Sequence, residues 1–324
     1  MPFAIRLDQP GPPSVLRLEQ TDRLRPGAGE VWLEQEAAGV NYLDITQRNG
    51  AVAIPLPGGL GLEGAGRVAE VGPGVTGLAP GDRVVYALGP LGAYASGRIL
   101  PAERLVKLPE GLSATDAVAV FFKGLTAHYL LHSTYPVAPG TVVLAYGAAG
   151  GVGRILAAWG RHLGATVIGV VSREASVDRA RAAGCAEVLV WGACDLPAEV
   201  ARLTGGRKAD VVYDGVGRDT FAASLDCLRP RGVMVSIGAS SGVPDPVALG
   251  TLTAKGSLFL TRPGLAHHIT DPAEYRARAA AVLEAVAAGI IRPAIGATFP
   301  LAEAAAAHEA VEAGTAKGTV ILTP

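Results

Sequence analysis

The chain has 324 residues, 49% of them hydrophobic, and a formal net charge of −1, so it has material for two domains and a sizeable core and is not disordered. The near-neutral balance gives no footing for nucleic acid or an anionic membrane. Three cysteines without paired spacing, Cys185, Cys194 and Cys227, argue against a disulfide framework and a zinc site and read as apolar fillers or partly exposed thiols.

From the N-terminus, MPFAIRLDQPGPPSV carries no long apolar segment or cleavage-site pattern, and no apolar run in the chain reaches about 18 residues. The expectation is a soluble, cytoplasmic protein. Residues 1–110 are short alternating runs broken by Gly and Pro. EVWLEQEAAGV (30–40), GAGRVAEVG (64–72) and DRVVYAL (82–88) read as strands of an antiparallel, barrel-like region. Near Ser113 the period changes: SATDAVAVFFKGLTAHYLLHST is helical, with Ser at its start.

Apolar strands then alternate with helices. TVVLAYG, ATVIGVVS, AEVLVWG, ADVVYDGVG and RGVMVSIG are the strands; RILAAWGRHLG, SVDRARAAG, DLPAEVARLTGG and DTFAASLDCLRP are the helices. Near-continuous apolar strands in a βαβ succession predict a doubly wound parallel sheet covered on both faces. A helix over 273–289, an Ala-rich helix LAEAAAAHEAVEAG and a final strand GTVILTP follow. The α/β chain is therefore expected to hold a nucleotide-type domain, residues 122–261, inserted in a β-rich domain made of 1–121 and 262–324.

YGAAGGVG (146–153) stands where a strand hands over to a helix, and it matches A-x-G-x-x-G with Ala148, Gly150 and Gly153. Without a Cβ at Gly150 a pyrophosphate can reach the backbone, and Gly153 lets the helix pack against the strand. The N–H groups of the turn Ala149, Gly150, Gly151, Val152 and Gly153 and the helix dipole favour phosphate. The next strand ends in Ser172-Arg173. A carboxylate there would repel a 2′-phosphate, whereas Arg173 and Ser172 can bind one, so NADPH is expected over NADH, although Glu174 follows at once.

AAGVNYLDITQRNG (37–50), GLGLEGAGRVAEVGPGV (59–75), GDRVVYALGPLGAYA (81–95), FFKGLTAHYLL (121–131) and AAGGVG (148–153) resemble the zeta-crystallin-like quinone oxidoreductases. These are zinc-free members of the medium-chain dehydrogenase/reductase superfamily. DVVYDGVGRDTFAASLDCLRPRG (210–232) and GSLFLTRPGL (256–265) extend the likeness over essentially the whole chain, nearest to the bacterial NADPH:quinone reductases.

The resemblance implies a Rossmann doubly wound parallel sheet inserted in a GroES-like β-barrel domain, a cleft between the two, and a homodimer joined through the Rossmann sheets. It implies that Asn41, Tyr42 and Asp44 line the cleft near the nicotinamide and that Lys123 and Tyr129 face the cofactor. It places Val216 and Gly217 beside the ribose, with Gly238, Ala239, Ser240 and Ser241 after the fifth strand. Backbone groups of Leu260, Thr261 and Arg262 hold the carboxamide, and Trp191 stands where relatives carry a Tyr beside the adenine. The chain also departs from the pattern. Relatives place Lys at Ser176, touching the 2′-phosphate, and Arg at Gly314; Arg173 and Lys317 are the available substitutes. Tyrosines at the cleft mouth are replaced by Thr46 and Val52, which should widen the pocket.

Against the zinc alcohol dehydrogenases of the same superfamily, the ligand positions hold Asn41 and Leu62, so no metal is expected; Glu63 reads as a structural hydrogen-bonding residue. Without a Lewis acid the substrate must already be electrophilic, and a quinone fits. Asn41 would orient either the substrate carbonyl or the nicotinamide ribose, and Asp44 is a structural acceptor or a ligand. His128 and His132 lie on an apolar helix and read as core-edge or surface residues. The alternatives are an NADPH-dependent enoyl or alkenal reductase on the same scaffold, and an NADPH-liganded RNA-binding, crystallin-like protein; the missing basic stripe counts against the latter.

Overall fold

The apolar runs that follow Pro139 form a six-stranded, all-parallel sheet in the computed structural model, which describes residues 1–324. Its strands are Val142–Tyr146, Thr166–Val171, Glu187–Val190, Ala209–Asp214, Leu228–Ser236 and Phe259–Thr261. In spatial order the third comes first, then the second, first, fourth, fifth and sixth. Every residue of Val142–Tyr146 and of Ala209–Asp214 is buried, as strands covered on both faces require. Leu144, Ile168, Val212 and Met234 meet Val200 and Leu225 of the covering helices in one core. The strand order reverses beside Val142–Tyr146, whose neighbours are Thr166–Val171 and Ala209–Asp214. That reversal opens a crevice at the carboxyl ends of the strands, the place where such sheets take ligands.

This sheet belongs to a unit of residues 123–271 and 287–291; a second unit comprises residues 1–122, 272–286 and 292–324. The nucleotide-type unit thus runs past the boundary expected at 261. The other border falls inside the helix Ala114–Tyr129, between Phe122 and Lys123. Ser113 starts that helix as foreseen, its Oγ accepting from the Asp116 N–H at 3.0 Å and donating to the Asp116 carboxylate at 2.7 Å. The helix continues as a π-type turn over Leu130–Thr134, where the Tyr213 hydroxyl donates to the Leu130 carbonyl at 2.8 Å.

In the N-terminal unit one long strand, Glu30–Val40, organises the rest. It pairs antiparallel with Glu63–Val71, with Gly97–Pro101 and with Thr319–Thr323. Register shifts at Trp32/Leu33 and Gln35/Ala37 bend it so that one strand serves several neighbours. Two apolar clusters fill this unit, one around Val31, Leu33, Val84 and Leu100 and one around Leu7, Val40, Ile45 and Leu322. Strands Phe3–Leu7, Arg17–Gln20 and Ile295–Pro300 were not read from the sequence, and Leu228-Arg229-Pro230, read as a helix end, opens a strand instead. Leu228 is buried and pairs with Ala209, whose N–H bonds to Cys227, so tertiary pairing overrides the local pattern.

The parallel sheet is tied at its lower edge by Asp210, 2% exposed. Its carboxylate accepts from the Val142 N–H (2.7 Å), Arg207 Nη2 (2.9 Å) and Arg229 Nε (2.5 Å), linking three strands and a loop. Burial by itself would raise its pKa, but the Val142 N–H and the two guanidiniums outweigh that and hold it below the usual carboxylate value. A depressed pKa means stability that is present at neutral pH and lost as pH falls through the folded value. Asp210→Ala strands its charged partners and should cost about 2–4 kcal/mol, read as a lowered thermal midpoint at pH 7.

Candidate dinucleotide and substrate sites

The strand Val142–Tyr146 passes into the helix Gly151–His162 through Gly147, whose φ of +62° makes the sharp turn. The first glycine role therefore falls on Gly147, one residue before the Ala148 of the sequence template. Ala148 packs inward, and a Cβ on Gly169 of the adjacent strand would sit 2.8 Å from its Cβ. Gly153 has no room for a side chain either, since a Cβ there would lie 2.8 Å from Ala148 Cα. The first intrahelical bond runs from the Arg154 N–H to the Gly150 carbonyl at 3.0 Å. The N–H groups of Gly151, Val152 and Gly153 precede it and lack intrahelical acceptors. Gly150 and Gly151 are exposed, Val152 and Ala149 half-buried. A Cβ on Gly151 would meet the stem of Lys123, at 2.9 Å from Cδ, so the buried Lys123 lies along this turn. The turn fits a pyrophosphate: a backbone cradle without side chains at a helix head.

Apart from Tyr129, which ends the helix Ala114–Tyr129, the remaining expected cofactor residues of this unit sit on the later parallel strands or just beyond their carboxyl ends. Ser172 and Arg173 are exposed after Thr166–Val171. Ser176 is buried, and its Oγ accepts from Arg179 Nη2 at 3.0 Å. Trp191 follows Glu187–Val190 and meets the Tyr146 ring edge-on, centroids 6.1 Å apart. Beyond the fourth strand, Asp214 caps the turn: its Oδ1 accepts from the N–H groups of Val216 (2.8 Å) and Gly217 (3.1 Å). Thr220 and Ser224 donate their hydroxyls to the same carboxylate, and Ser224 Oγ also lies 3.0 Å from the Tyr146 hydroxyl. The segment Gly238–Ser241 is zipped to this turn, with Ser240 N–H to Gly215 at 3.2 Å and Ser241 N–H to Val216 at 2.8 Å. Ala239 Cα would lie 3.0 Å from a Cβ on Gly217, whose φ is +97°. Leu260 and Thr261 belong to the edge strand, and Arg262 reaches Ser236 Oγ at 3.4 Å. Tyr129 is buried and stacked on His268 at 4.3 Å between centroids; burial pushes its hydroxyl up to about 12. His128 is half-buried and His132 exposed, and both rings pack on Trp159. Lys317 lies in the other unit, exposed in the loop before Thr319–Thr323.

In that N-terminal unit, Asn41 ends the long strand and precedes the helix Tyr42–Arg48. Its Nδ2 donates to Glu63 Oε1 at 2.8 Å, and Glu63 Oε2 accepts from the Phe122 N–H at 3.1 Å. Leu62 is buried beside them. No group of three or more His, Cys, Asp or Glu side chains is arranged to hold a metal ion. Tyr42 is exposed, while Asp44 is fully buried and its Oδ2 accepts from the Asn41 N–H at 2.8 Å and from the Tyr94 hydroxyl at 2.9 Å.

Behind Asp44 runs a polar chain that the sequence did not disclose. Tyr94 Oη lies 3.1 Å from His308 Nε2, and Arg48 Nη1 lies 3.3 Å from His308 Nδ1. Arg48, itself buried, forms a two-pronged pair with Glu312 at 2.6 and 3.1 Å. Arginine can only donate, so Nδ1 accepts and the ring proton sits on Nε2, facing Tyr94, which passes its own proton to Asp44. The direction of every bond from Glu312 to Asn41 is thereby fixed. No local pattern signals this chain, because its members come from three separate segments.

Two family models match. The alcohol dehydrogenase GroES-like domain covers residues 27–110, and the zinc-binding dehydrogenase model covers residues 151–284. A 2-haloacrylate reductase of Burkholderia sp is 43% identical over all of this chain and 99% of that protein. A quinone oxidoreductase of Pseudomonas aeruginosa is 43% identical over 97% of each chain. The Escherichia coli quinone oxidoreductase solved in complex with NADPH superposes with a TM-score of 0.96 at 41% identity, over 99% of this chain and all of that one. The chain belongs to the quinone oxidoreductase family of the medium-chain dehydrogenase/reductase superfamily. Its α/β architecture, a Rossmann sheet together with a GroES-like domain, is that of the family.

Burial first, then the charge of Arg48, lowers the His308 pKa to about 3, against the pull of Glu312. The folded protein keeps the ring neutral while an unfolded chain takes up a proton below about 6.5. Stability is therefore complete above that pH and declines as pH falls toward 3, by up to about 1.4 kcal/mol per pH unit. Unfolding followed between pH 7 and 4 should show this acid slope in the wild type, and His308→Gln should flatten it.

Proposed function

We propose that the chain is an NADPH-dependent quinone oxidoreductase working without a catalytic metal. The observation that carries this reading is the Asn41–Glu63 hydrogen bond beside buried Leu62. Where zinc enzymes of the superfamily use ligands to polarise an alcohol or ketone, this chain has an amide paired with a carboxylate and an alkyl side chain. A substrate activated only by its own electronics is then required, and quinones meet that requirement.

Bound NADPH supplies the hydride; the chain contributes binding and orientation. Gly150, Gly151, Val152 and Gly153, with Ala149, hold the pyrophosphate. Ser172, Arg173, Ser176 and Lys317 are assigned to the 2′-phosphate, and Trp191 to the adenine. Val216, Gly217, Gly238, Ala239, Ser240 and Ser241 line the ribose and nicotinamide side. Leu260, Thr261 and Arg262 hold the carboxamide, and Lys123 and Tyr129 bind cofactor hydroxyls. Asn41 orients the reacting partner, with Asp44 fixing its backbone and Tyr42 exposed beside it. The edge strand Phe259–Thr261, with Phe259 61% and nearby Leu249 81% exposed, supports a homodimer joined along the sheet.

The 2-haloacrylate reductase at 43% identity favours a second reading, reduction of an activated alkene. Thr46 and Val52, in place of tyrosines, leave the acceptor side less enclosed by rings. NADPH oxidation at 340 nm with 1,4-benzoquinone and phenanthrenequinone should be fast and with crotonyl-type enones slow; turnover of enones with none of quinones reverses the order of the two readings. Purified enzyme should hold substoichiometric zinc, and a chelator should leave the rate unchanged.

A further inference from the structure

His128 and His132 stand four positions apart where the helix Ala114–Tyr129 passes into the π-type turn Leu130–Thr134. In a regular α-helix the fourth residue on lies about 40° further round the axis. A π turn holds more residues and takes the chain round more slowly, so His132 comes nearer to a place directly above His128. Two bonds to one carbonyl hold the turn: the Tyr135 N–H reaches the Leu130 oxygen at 3.2 Å, and the Tyr213 hydroxyl donates to it at 2.8 Å. The two imidazole rings end with centroids 4.5 Å apart and planes tilted by 37°. Both also meet the buried Trp159 ring edge-on, at 5.4 and 5.7 Å, so one indole backs the pair.

This separation suits a shared metal ion. An imidazole nitrogen binds a first-row divalent ion at about 2.0–2.1 Å, which puts the ring centroid about 3.2 Å from the metal. Two such arms at a right angle hold the centroids about 4.5 Å apart, and at the tetrahedral angle about 5.2 Å. The spacing therefore matches neighbouring positions of a tetragonal centre, the geometry of Cu2+ and Ni2+ with nitrogen and oxygen ligands, better than a zinc tetrahedron. Location favours a cation too: the pair occupies the last turns of a helix, where the carbonyl ends carry partial negative charge. His132 is exposed and His128 half-buried, so water has access to the remaining coordination positions.

We propose that His128 and His132 form a two-histidine chelate for a divalent late first-row ion, Cu2+ ahead of Ni2+ and Zn2+, seated beside Trp159. With two protein ligands it falls short of the three or four of a catalytic or structural zinc site, so the ion exchanges with solution. It is distinct from the metal-free reading of the reaction, since Asn41, Leu62 and Glu63 belong to the other unit of the chain. Bound metal ties the helix to its π turn and stabilises the fold by mass action.

Untagged, metal-stripped full-length protein, titrated with CuCl2, NiCl2 or ZnCl2 at pH 7 in a non-coordinating buffer, tests the site. One Cu2+ should bind per chain and quench tryptophan emission. Trp159→Phe should keep the binding seen by calorimetry and lose most of the quenching, with Trp32 and Trp191 still present. His128→Gln and His132→Gln should each raise the Cu2+ dissociation constant at least about 10-fold, because either change leaves a single imidazole. NiCl2 should raise the thermal midpoint of the wild type and leave that of both Gln variants level. Pulsed electron paramagnetic resonance of the wild-type Cu2+ complex, which depends on no substitution, should count two imidazole nitrogens. Absence of one-to-one binding, affinity unchanged in either Gln variant, quenching undiminished by Trp159→Phe, or a spectrum with one imidazole nitrogen would each overturn the chelate.

Discussion

A helix can begin within van der Waals reach of the strand that feeds it only where no side chain stands between them. That constraint governs the nucleotide-type unit: Gly147 turns the chain, and Gly153 comes up against Ala148 with no space for a methyl group. The close approach fixes the helix axis, and with it the direction in which the first N–H groups point. The same strand, Val142–Tyr146, is the one beside which the strand order of the sheet reverses. Asp214 serves the neighbouring strand in a similar way, using one buried carboxylate to hold the Val216–Gly217 turn and, through Ser224, to reach back to Tyr146. The two strand ends that border the crevice are thus joined by hydrogen bonds as well as by their ladder.

The N-terminal unit solves a different problem, how to keep one amide in a fixed orientation at the end of a strand. Asn41 is held from the side chain by Glu63 and from the backbone by Asp44, and Asp44 is held by Tyr94, His308, Arg48 and Glu312 in turn. In low dielectric, such a chain is rigid when every member is satisfied and costly when one is removed. It explains why an arginine and a histidine are tolerated among the apolar residues that pack around Ile45 and Leu301.

The parts of the fold that could be read in the sequence were those whose signal is local. Strands buried on both faces announce themselves as apolar runs, and Val142–Tyr146 and Ala209–Asp214 were read on that basis. Phe3–Leu7 and Ile295–Pro300 are partly exposed, so no continuous apolar run marks them. Leu228 was misread because the helix before it ends in pattern with it and only pairing to Ala209 distinguishes the two. The glycine turn was legible because its chemistry is a spacing, although the template assigned to Ala148 a role that Gly147 performs. The polar chain behind Asn41 was not legible, since it joins residues far apart in sequence and depends on which way side chains turn after folding.

The strand Glu30–Val40 pairs along its carboxyl end with Thr319–Thr323, Val40 opposite Val320. Translation therefore delivers the first part of this unit, residues 1–122, about two hundred residues' worth of synthesis before the strand Thr319–Thr323 that closes it, and at roughly 5–20 residues per second the gap lasts about 10–40 seconds. During that interval the nucleotide-type unit emerges with its first five parallel strands and their helices in unbroken succession, and it has the means to settle first. In this molecule the part made earliest is the part completed last, because the carboxyl end of Glu30–Val40 lacks one of its neighbours until Thr319–Thr323 arrives.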